Sequence, residues 1–236
     1  MRKLIVTLLA LPFLTCSGAV LARDKSPFIT AREINLSTLL APPPANDSMQ
    51  MKKELAEVLK LQVTRTPEMV ARAQADQVEN VWRFADVMGP EFKREQLPMV
   101  DKFFQRLVDT EGAVVDPNKE TWKRPRPHIY SDLVKPVVKL SSSGSYPSGH
   151  ATDATLMGIV LSNMVPEKRA EIMARAAEYA HNRIVGGIHY PSDIEAGRIT
   201  GTVIAAKLQT QDDFNAAFAA ARGELRGVLG LRQAGN

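Results

Sequence analysis

Three short clusters of chemically capable residues stand out in this chain. Lys119 is followed after six residues by Arg126-Pro127. Pro147-Ser148-Gly149-His150 comes next, and Arg183, His189 and Asp193 close the set with five and then three residues between them. Together they supply three permanent cations, a hydroxyl, a glycine backbone, two imidazoles and a carboxylate. Guanidinium forks pair with phosphate oxygens two at a time, and Lys adds a point charge. A helix start exposes unpaired N–H groups and a partial positive charge, and Pro-Ser-Gly suits such a start. The inventory fits a tetrahedral dianion passing through a trigonal-bipyramidal transition state, with fixed donors aimed at the developing charge.

The two histidines can divide the labour. Asp193, four residues after His189, reaches that imidazole across one helical turn, whether His189 sits in the first turn or just before it. Bonded to one ring nitrogen, the carboxylate fixes the tautomer and frees the other nitrogen for attack. His150 is then the acid for a leaving alkoxide. No metal is required, and three cations would repel one. The neighbours carry plainer expectations. Lys123 and Arg124 read as solvated loop charge outside the site. Asp153 reads as support for the first turn after His150, and Glu195 as solvent-facing or as a Ser192 capping partner. His128 reads as a surface residue and His181 as structural or exposed. Trp82 belongs with a core helix, whereas Trp122 is placed to shape a substrate entrance.

The elements that must position these residues are helical. Leu39-Leu40-Ala41 runs into the triplet Pro42-Pro43-Pro44, which makes residues 23–46 an extended strap. Asp47 or Ser48 caps a helix to about Gln62. Thr66-Pro67 opens another that the periodicity carries to Met88. A third fits Leu97 to about Thr110. From Val114 to Tyr146 the prolines predict a long loop region with one short helical turn, of the length that tends to be functional. Helical spacing resumes over Ser148–Met164, Pro166–Ile184, Pro191–Leu208 and Asp212–Leu229, the last with Asp212 as cap. Alternating strand patterns are almost absent and no repeat is found. The expectation is a single all-α domain spanning 47–236.

Composition sets the bounds. Met1-Arg2-Lys3, an apolar run from Leu4 to Leu14 and small residues up to Ala22 describe a secretory leader over 1–22. Its cleavage leaves about 214 residues, enough for one sizeable core. Pro12 interrupts a run too short to span a bilayer comfortably, and Phe13-Leu14-Thr15 lacks the small residues that a lipid anchor at Cys16 prefers. Cys16 is the single cysteine, so the mature chain has no disulfide, no cysteine zinc site and no thiol nucleophile. Two of the four net positive charges, Arg2 and Lys3, belong to the leader. The remainder argues for neither nucleic acid nor an anionic membrane as partner.

The spacing Lys-x6-Arg-Pro, Pro-Ser-Gly-His, Arg-x5-His-x3-Asp is similar to the signature of the type 2 phosphatidic acid phosphatase superfamily. The longer run Gly144-Ser145-Tyr146-Pro147-Ser148-Gly149-His150 resembles the class A bacterial non-specific acid phosphatases, as do the leader and the Leu39-Leu40 to Pro44 segment. The resemblance implies a helical bundle of the acid phosphatase and vanadium haloperoxidase type. It implies a periplasmic, metal- and cofactor-free phosphomonoesterase acting on small-molecule esters, and a homodimer. His189 is then the nucleophile, Asp193 its orienting partner and His150 the general acid. Lys119, Arg126, Ser148, Gly149 and Arg183 hold the phosphate. Two departures stand out: Asn182 where the family usually has Ser, and Ala151 where the class A run continues with Thr. A lipid phosphatase or a vanadium haloperoxidase of the same superfamily, or a non-catalytic phosphate binder, would share the cations. After the leader no uninterrupted apolar run is long enough to span a membrane.

Overall fold

The computed structural model describes residues 27–232. The segment 1–22, expected to be a leader, lies outside these residues. Helices follow as α1 (Leu36–Leu39), α2 (Met49–Thr64), α3 (Pro67–Ala75), α4 (Ala85–Met88), α5 (Pro98–Trp122), α6 (Pro127–Tyr130), α7 (Gly149–Met164), α8 (Arg169–Val185), α9 (Pro191–Leu208) and α10 (Asp212–Val228), with short 3₁₀ turns between some of them. Among the described residues no β-strand forms, and no helix is long and apolar enough to cross a membrane.

Helix α7 is the spine. Thirteen of its 16 residues are buried, so it has no polar face, and its neighbours wrap it. Glycines let those neighbours close in. A Cβ on Gly158 would lie 2.8 Å from the Ala176 Cβ of α8. One on Gly197 or Gly201 of α9 would lie 2.6 Å from the carbonyl oxygen of Ser148 or Thr152. The start of α7 and the start of α9 are also joined directly, Ser148 N–H donating to the Asp193 carbonyl at 3.1 Å. The ends of α5 and α8 arrive at the same pole. Asp212, expected as a cap, is the first helical residue of α10, and Gln211 before it makes no side-chain cap bond.

Two helix boundaries differ from the periodicity, each for a visible reason. Thr66 caps α3 as expected, its hydroxyl accepting the Met69 N–H. The helix nonetheless stops at Ala75 instead of running to Met88. Asp76 turns fully inward and accepts from Arg83 Nε (2.9 Å), Arg175 Nη2 (2.5 Å) and Asn182 Nδ2 (2.8 Å). That buried pairing outweighs the hydrogen bonds a continued helix would supply.

Helix α5 instead overruns its predicted end by three turns, straight through Pro117. A proline there strips the Ala113 carbonyl of its usual donor. The strap replaces it: Ala31 N–H donates to the Ala113 oxygen at 3.1 Å, and Phe28 N–H donates to Thr110 Oγ1 at 3.0 Å. The Phe28 ring then packs on Phe103 and Phe214. Helix α5 ends only where Lys123 turns left-handed at φ 45°. Residues 114–122, expected as loop, are therefore rigid helix, and they carry Lys119.

Candidate active site

At the pole where α5, α7, α8 and α9 meet lies a cavity of about 500 Å³, lined by Lys119, Arg126, Gly149, His150, Arg183 and His189 among others. Six of the eight site residues expected from the sequence thus face one space. The other two, Ser148 and Asp193, are fully buried behind it. Ser148 caps α7, its Oγ accepting the Ala151 N–H at 3.3 Å.

His189 sits just before α9. A guanidinium can only donate, so the 3.1 Å contact from Arg126 Nη1 makes His189 Nε2 the acceptor. The proton then resides on Nδ1, which faces Asp193 Oδ2 at 3.3 Å and Ser145 Oγ at 3.4 Å. Burial holds the imidazole well below its ordinary range, and Arg126, Arg183, Lys119 and His150 push the same way. The ring is neutral, with its Nε2 lone pair taken up by the Arg126 N–H.

Asp193 is gripped from all sides. Its Oδ2 accepts from Ser145 Oγ (2.5 Å) and the Tyr190 N–H (2.8 Å), and Oδ1 accepts from Arg124 Nη1 (2.6 Å). Burial pushes this carboxyl up, and Arg124, Ser145 and Tyr190 oppose it. Arg124, expected in solvent, is therefore part of the machinery. It is 3% exposed and bridges Asp193 to Glu54 of α2 at 2.7 Å, over the Tyr190 ring. A buried Arg with two carboxylate partners defies the usual solvated reading of a loop charge run. Its partners come from 70 residues upstream and 69 downstream.

His150 stands in the first turn of α7. Its Nδ1 meets Glu79 Oε1 at 2.7 Å, and Nε2 meets the Gln77 carbonyl at 3.1 Å. Both partners are acceptors, which suits the ring to proton donation. Both come from the segment that exists only because α3 breaks at Asp76. Burial alone would raise Glu79; the bond to His150 and the charges of His150, Arg183 and Lys119 outweigh it and leave its carboxyl below the usual range. Asn182, the departure from Ser, donates to Asp76 beneath this segment. Ala151 is fully buried.

The cations differ in freedom. Arg126 is held by the carbonyls of Ser143, Gly144 and Ile188 and by Ser143 Oγ. Arg183 lines the cavity with Nε and Nη1 unpartnered among the described residues, and burial brings it down to about 10. Lys119 Nζ leans on Asp116 Oδ1 at 3.0 Å. Unsatisfied buried donors beside a cavity are groups awaiting an anion.

Other expectations need correcting. Asp153 does not brace the first turn: it is fully buried, and neither carboxyl oxygen has a hydrogen-bond partner among the described residues. Glu195 faces solvent, the first of its two expected placements, and pairs with Arg198; the capping role goes to Asp193 with the Tyr190 N–H. Trp122 packs edge-on against Tyr146, centroids 5.0 Å apart, and is absent from the cavity wall. His128 is half-buried off the cavity instead of on the surface, while His181 is exposed, as one of its two expected placements had it.

The PAP2 superfamily model matches residues 109–215. A non-specific acid phosphatase of Salmonella typhi is 31% identical over 214 residues, covering 86% of each chain. One from Providencia stuartii is 28% identical over 205 residues, covering 82% of each. A transmembrane PAP2-type phosphatidylglycerolphosphate phosphatase from Bacillus subtilis superposes with a TM-score of 0.49 at 16% identity, over 70% of this chain and 87% of its own. The chain belongs to the PAP2 superfamily.

Proposed function

We propose that this protein is an exported acid phosphatase that hydrolyses small phosphomonoesters through a phosphohistidine, without a metal. That it is a phosphatase of its superfamily follows from kinship with curated acid phosphatases over most of its length. The finer reading rests on one observation: His189, its Nδ1 anchored on buried Asp193, lines a cavity that it shares with His150 and three cations. The leader-like residues 1–22 support export.

In this reading the phosphate enters between Lys119, Arg126 and Arg183, with the Gly149 N–H completing the cradle and Ser148, buried behind it, capping the helix that presents that N–H. Arg126 Nη1 transfers its hydrogen bond from His189 Nε2 to a phosphoryl oxygen, releasing the lone pair. Nε2 attacks phosphorus, the ester P–O bond breaks, and His150 protonates the departing alkoxide. His150 then removes a proton from water, which displaces His189 and yields inorganic phosphate. A neutral nucleophile follows first from the burial of His189 and then from the positive charge gathered around it.

His189→Ala is expected to lower hydrolysis of p-nitrophenyl phosphate by at least three decades while Arg126 and Arg183 still bind phosphate. Alkaline quenching of wild type, which spares the acid-labile P–N bond, should trap one phosphoryl group per chain, and activity should survive EDTA. Full turnover by the variant would reject the covalent route. Turnover confined to lipid phosphates, or halide oxidation with vanadate and peroxide, would reassign the substrate. N-terminal sequencing of protein from an osmotic-shock fraction tests export, with cleavage expected after Ala22.

A further inference from the structure

The mechanism leaves one wall of the cavity unused. Glu111 projects from α5 and is nearly buried. Its Oε1 is enclosed and has no hydrogen-bond partner among the described residues, and the residue lines the cavity. A Cβ built on Gly149 would lie 2.9 Å from this oxygen and 3.5 Å from Lys119 Nζ. The carboxyl therefore sits against the glycine backbone at the mouth of α7, beside the ammonium of the cradle. A buried carboxylate facing an incoming dianion would oppose binding. A buried carboxylic acid offers a donor.

We propose that Glu111 is a further substrate-binding residue of this site, present as the neutral acid and donating its O–H to a phosphate oxygen beside Lys119. This rests on the phosphatase reading for its substrate, though not for the binding of a tetrahedral dianion. The surroundings keep the proton in place. Desolvation raises Glu111 to about 8, Glu79 and Asp116 add to it, and Lys119 opposes it. On the same helix it meets Lys119 and Asp116. From the segment after α3 comes Glu79, already paired with His150. From α7 comes Asp153, itself raised well above its ordinary range by burial and then by Glu111. From α8 comes Tyr179, facing Asp153. Carboxyls thus outnumber the one cation beside Glu111, and a second negative charge in this corner is disfavoured.

Sulfate serves as the probe, because it remains a dianion across the working range and any pH dependence belongs to the protein. Its binding to wild type, read by calorimetry and as competitive inhibition of p-nitrophenyl phosphate hydrolysis, is expected to hold steady up to about pH 8. Above that it should weaken about tenfold per unit, as Glu111 ionises. Glu111→Gln keeps a donor that cannot ionise, so this fall should vanish. Glu111→Leu should bind sulfate about tenfold more weakly than Glu111→Gln at pH 6, the loss of one hydrogen bond to a charged group. The proposal is overturned if Glu111→Gln retains the wild-type pH dependence, or if Glu111→Leu and Glu111→Gln bind equally. It is also overturned if sulfate binding to wild type is flat to pH 9.5, a result that needs no folded variant. Absence of any hydrolysis by wild type would instead sink the phosphatase reading and leave the calorimetric arm standing.

Discussion

Replacing Arg124 by Met tests whether the carboxylate behind the nucleophile depends on a charge the sequence left in solvent. Arg124 is 3% exposed and bridges Glu54 and Asp193, which are 2% and 0% exposed. Met removes the guanidinium but roughly keeps the length of the side chain, leaving two buried carboxylates without their counter-charge. Breaking a buried pair from one side costs about 3–5 kcal/mol. For a domain of this size each kcal/mol shifts the melting temperature by about 2–4 °C, so a loss of about 6–20 °C is expected. The effect on catalysis is separate. Without Arg124, burial raises the Asp193 carboxyl further, and a protonated Asp193 no longer polarises the His189 Nδ1–H. Ser145 and the Tyr190 N–H still hold it, so kcat should fall about a hundredfold, short of the ~10⁴-fold cost of losing an orienting carboxylate outright. Pairing Arg124→Met with Glu54→Met separates the two effects. An apolar pair should recover about half of the lost stability, since one of the two stranded carboxylates is gone, whereas kcat should stay low because Asp193 remains uncompensated. Melting curves and single-turnover phosphoenzyme formation provide the readouts. A single variant melting within about 2 °C of wild type, or a double variant regaining full kcat, refutes the reasoning.

Other consequences can be measured with the same tools. Gly197→Ala forces a Cβ to within 2.6 Å of the Ser148 carbonyl, a backbone atom that cannot step aside. It should cost about 1–3 kcal/mol and lower kcat, because the Ser148–Asp193 bond lies at that contact. Gly227→Ala in α10 meets nothing within 4 Å and should instead gain about 0.5–1 kcal/mol in chemical denaturation. Asp76→Ala takes from Arg175 and Asn182 their shared buried carboxylate, leaving Arg175 the Arg83 carbonyl and the half-exposed Glu178, and frees the segment holding His150; a drop of about 3 kcal/mol and a fall in kcat are expected, and an unchanged kcat would detach that segment from catalysis. Stability should depend on pH from both sides. Folded His189 refuses a proton that the unfolded chain takes near 6.5, so stability falls as pH drops below that value. Folded Glu111 keeps its proton to about 8, whereas the unfolded chain releases it near 4.5, so stability falls as pH rises through that window. Glu111→Gln should flatten this upper slope in urea midpoints measured from pH 5 to 9.

What could be read from the sequence is what depends on neighbours in the chain. Thr66-Pro67 and the Pro191 start are local signals, and the corresponding helices begin there. The gaps between motif residues likewise carried six of the eight expected side chains to one cavity, because each motif sits at the end of a helix and the ends share a pole. The misread boundaries share a different cause. Pro117 signals a break, and it would be one if Ala31, 82 residues before Ala113, did not supply the missing donor. Asp76 looks like one more polar residue on the outer face of an amphipathic helix until Arg175 and Asn182, a hundred residues on, draw it inward.

The same reasoning explains which site residues escaped notice. Arg124, Glu54, Glu79 and Glu111 are charged residues in polar or amphipathic stretches, where solvent exposure is the default expectation. Each is instead paired or enclosed by a group from a distant segment, and no spacing rule links them. One signal was present: α7 has almost no polar face, so a carboxylate at Asp153 had nowhere to go but the interior. A buried acid three residues after His150 implies either a buried cation or a retained proton. Burial raises Asp153, the carboxyls of Glu111, Glu79 and Asp116 raise it further, and Lys119 opposes them. Retained protons are therefore the physical solution in that corner, and the acidic working range expected of this site is the range in which they stay.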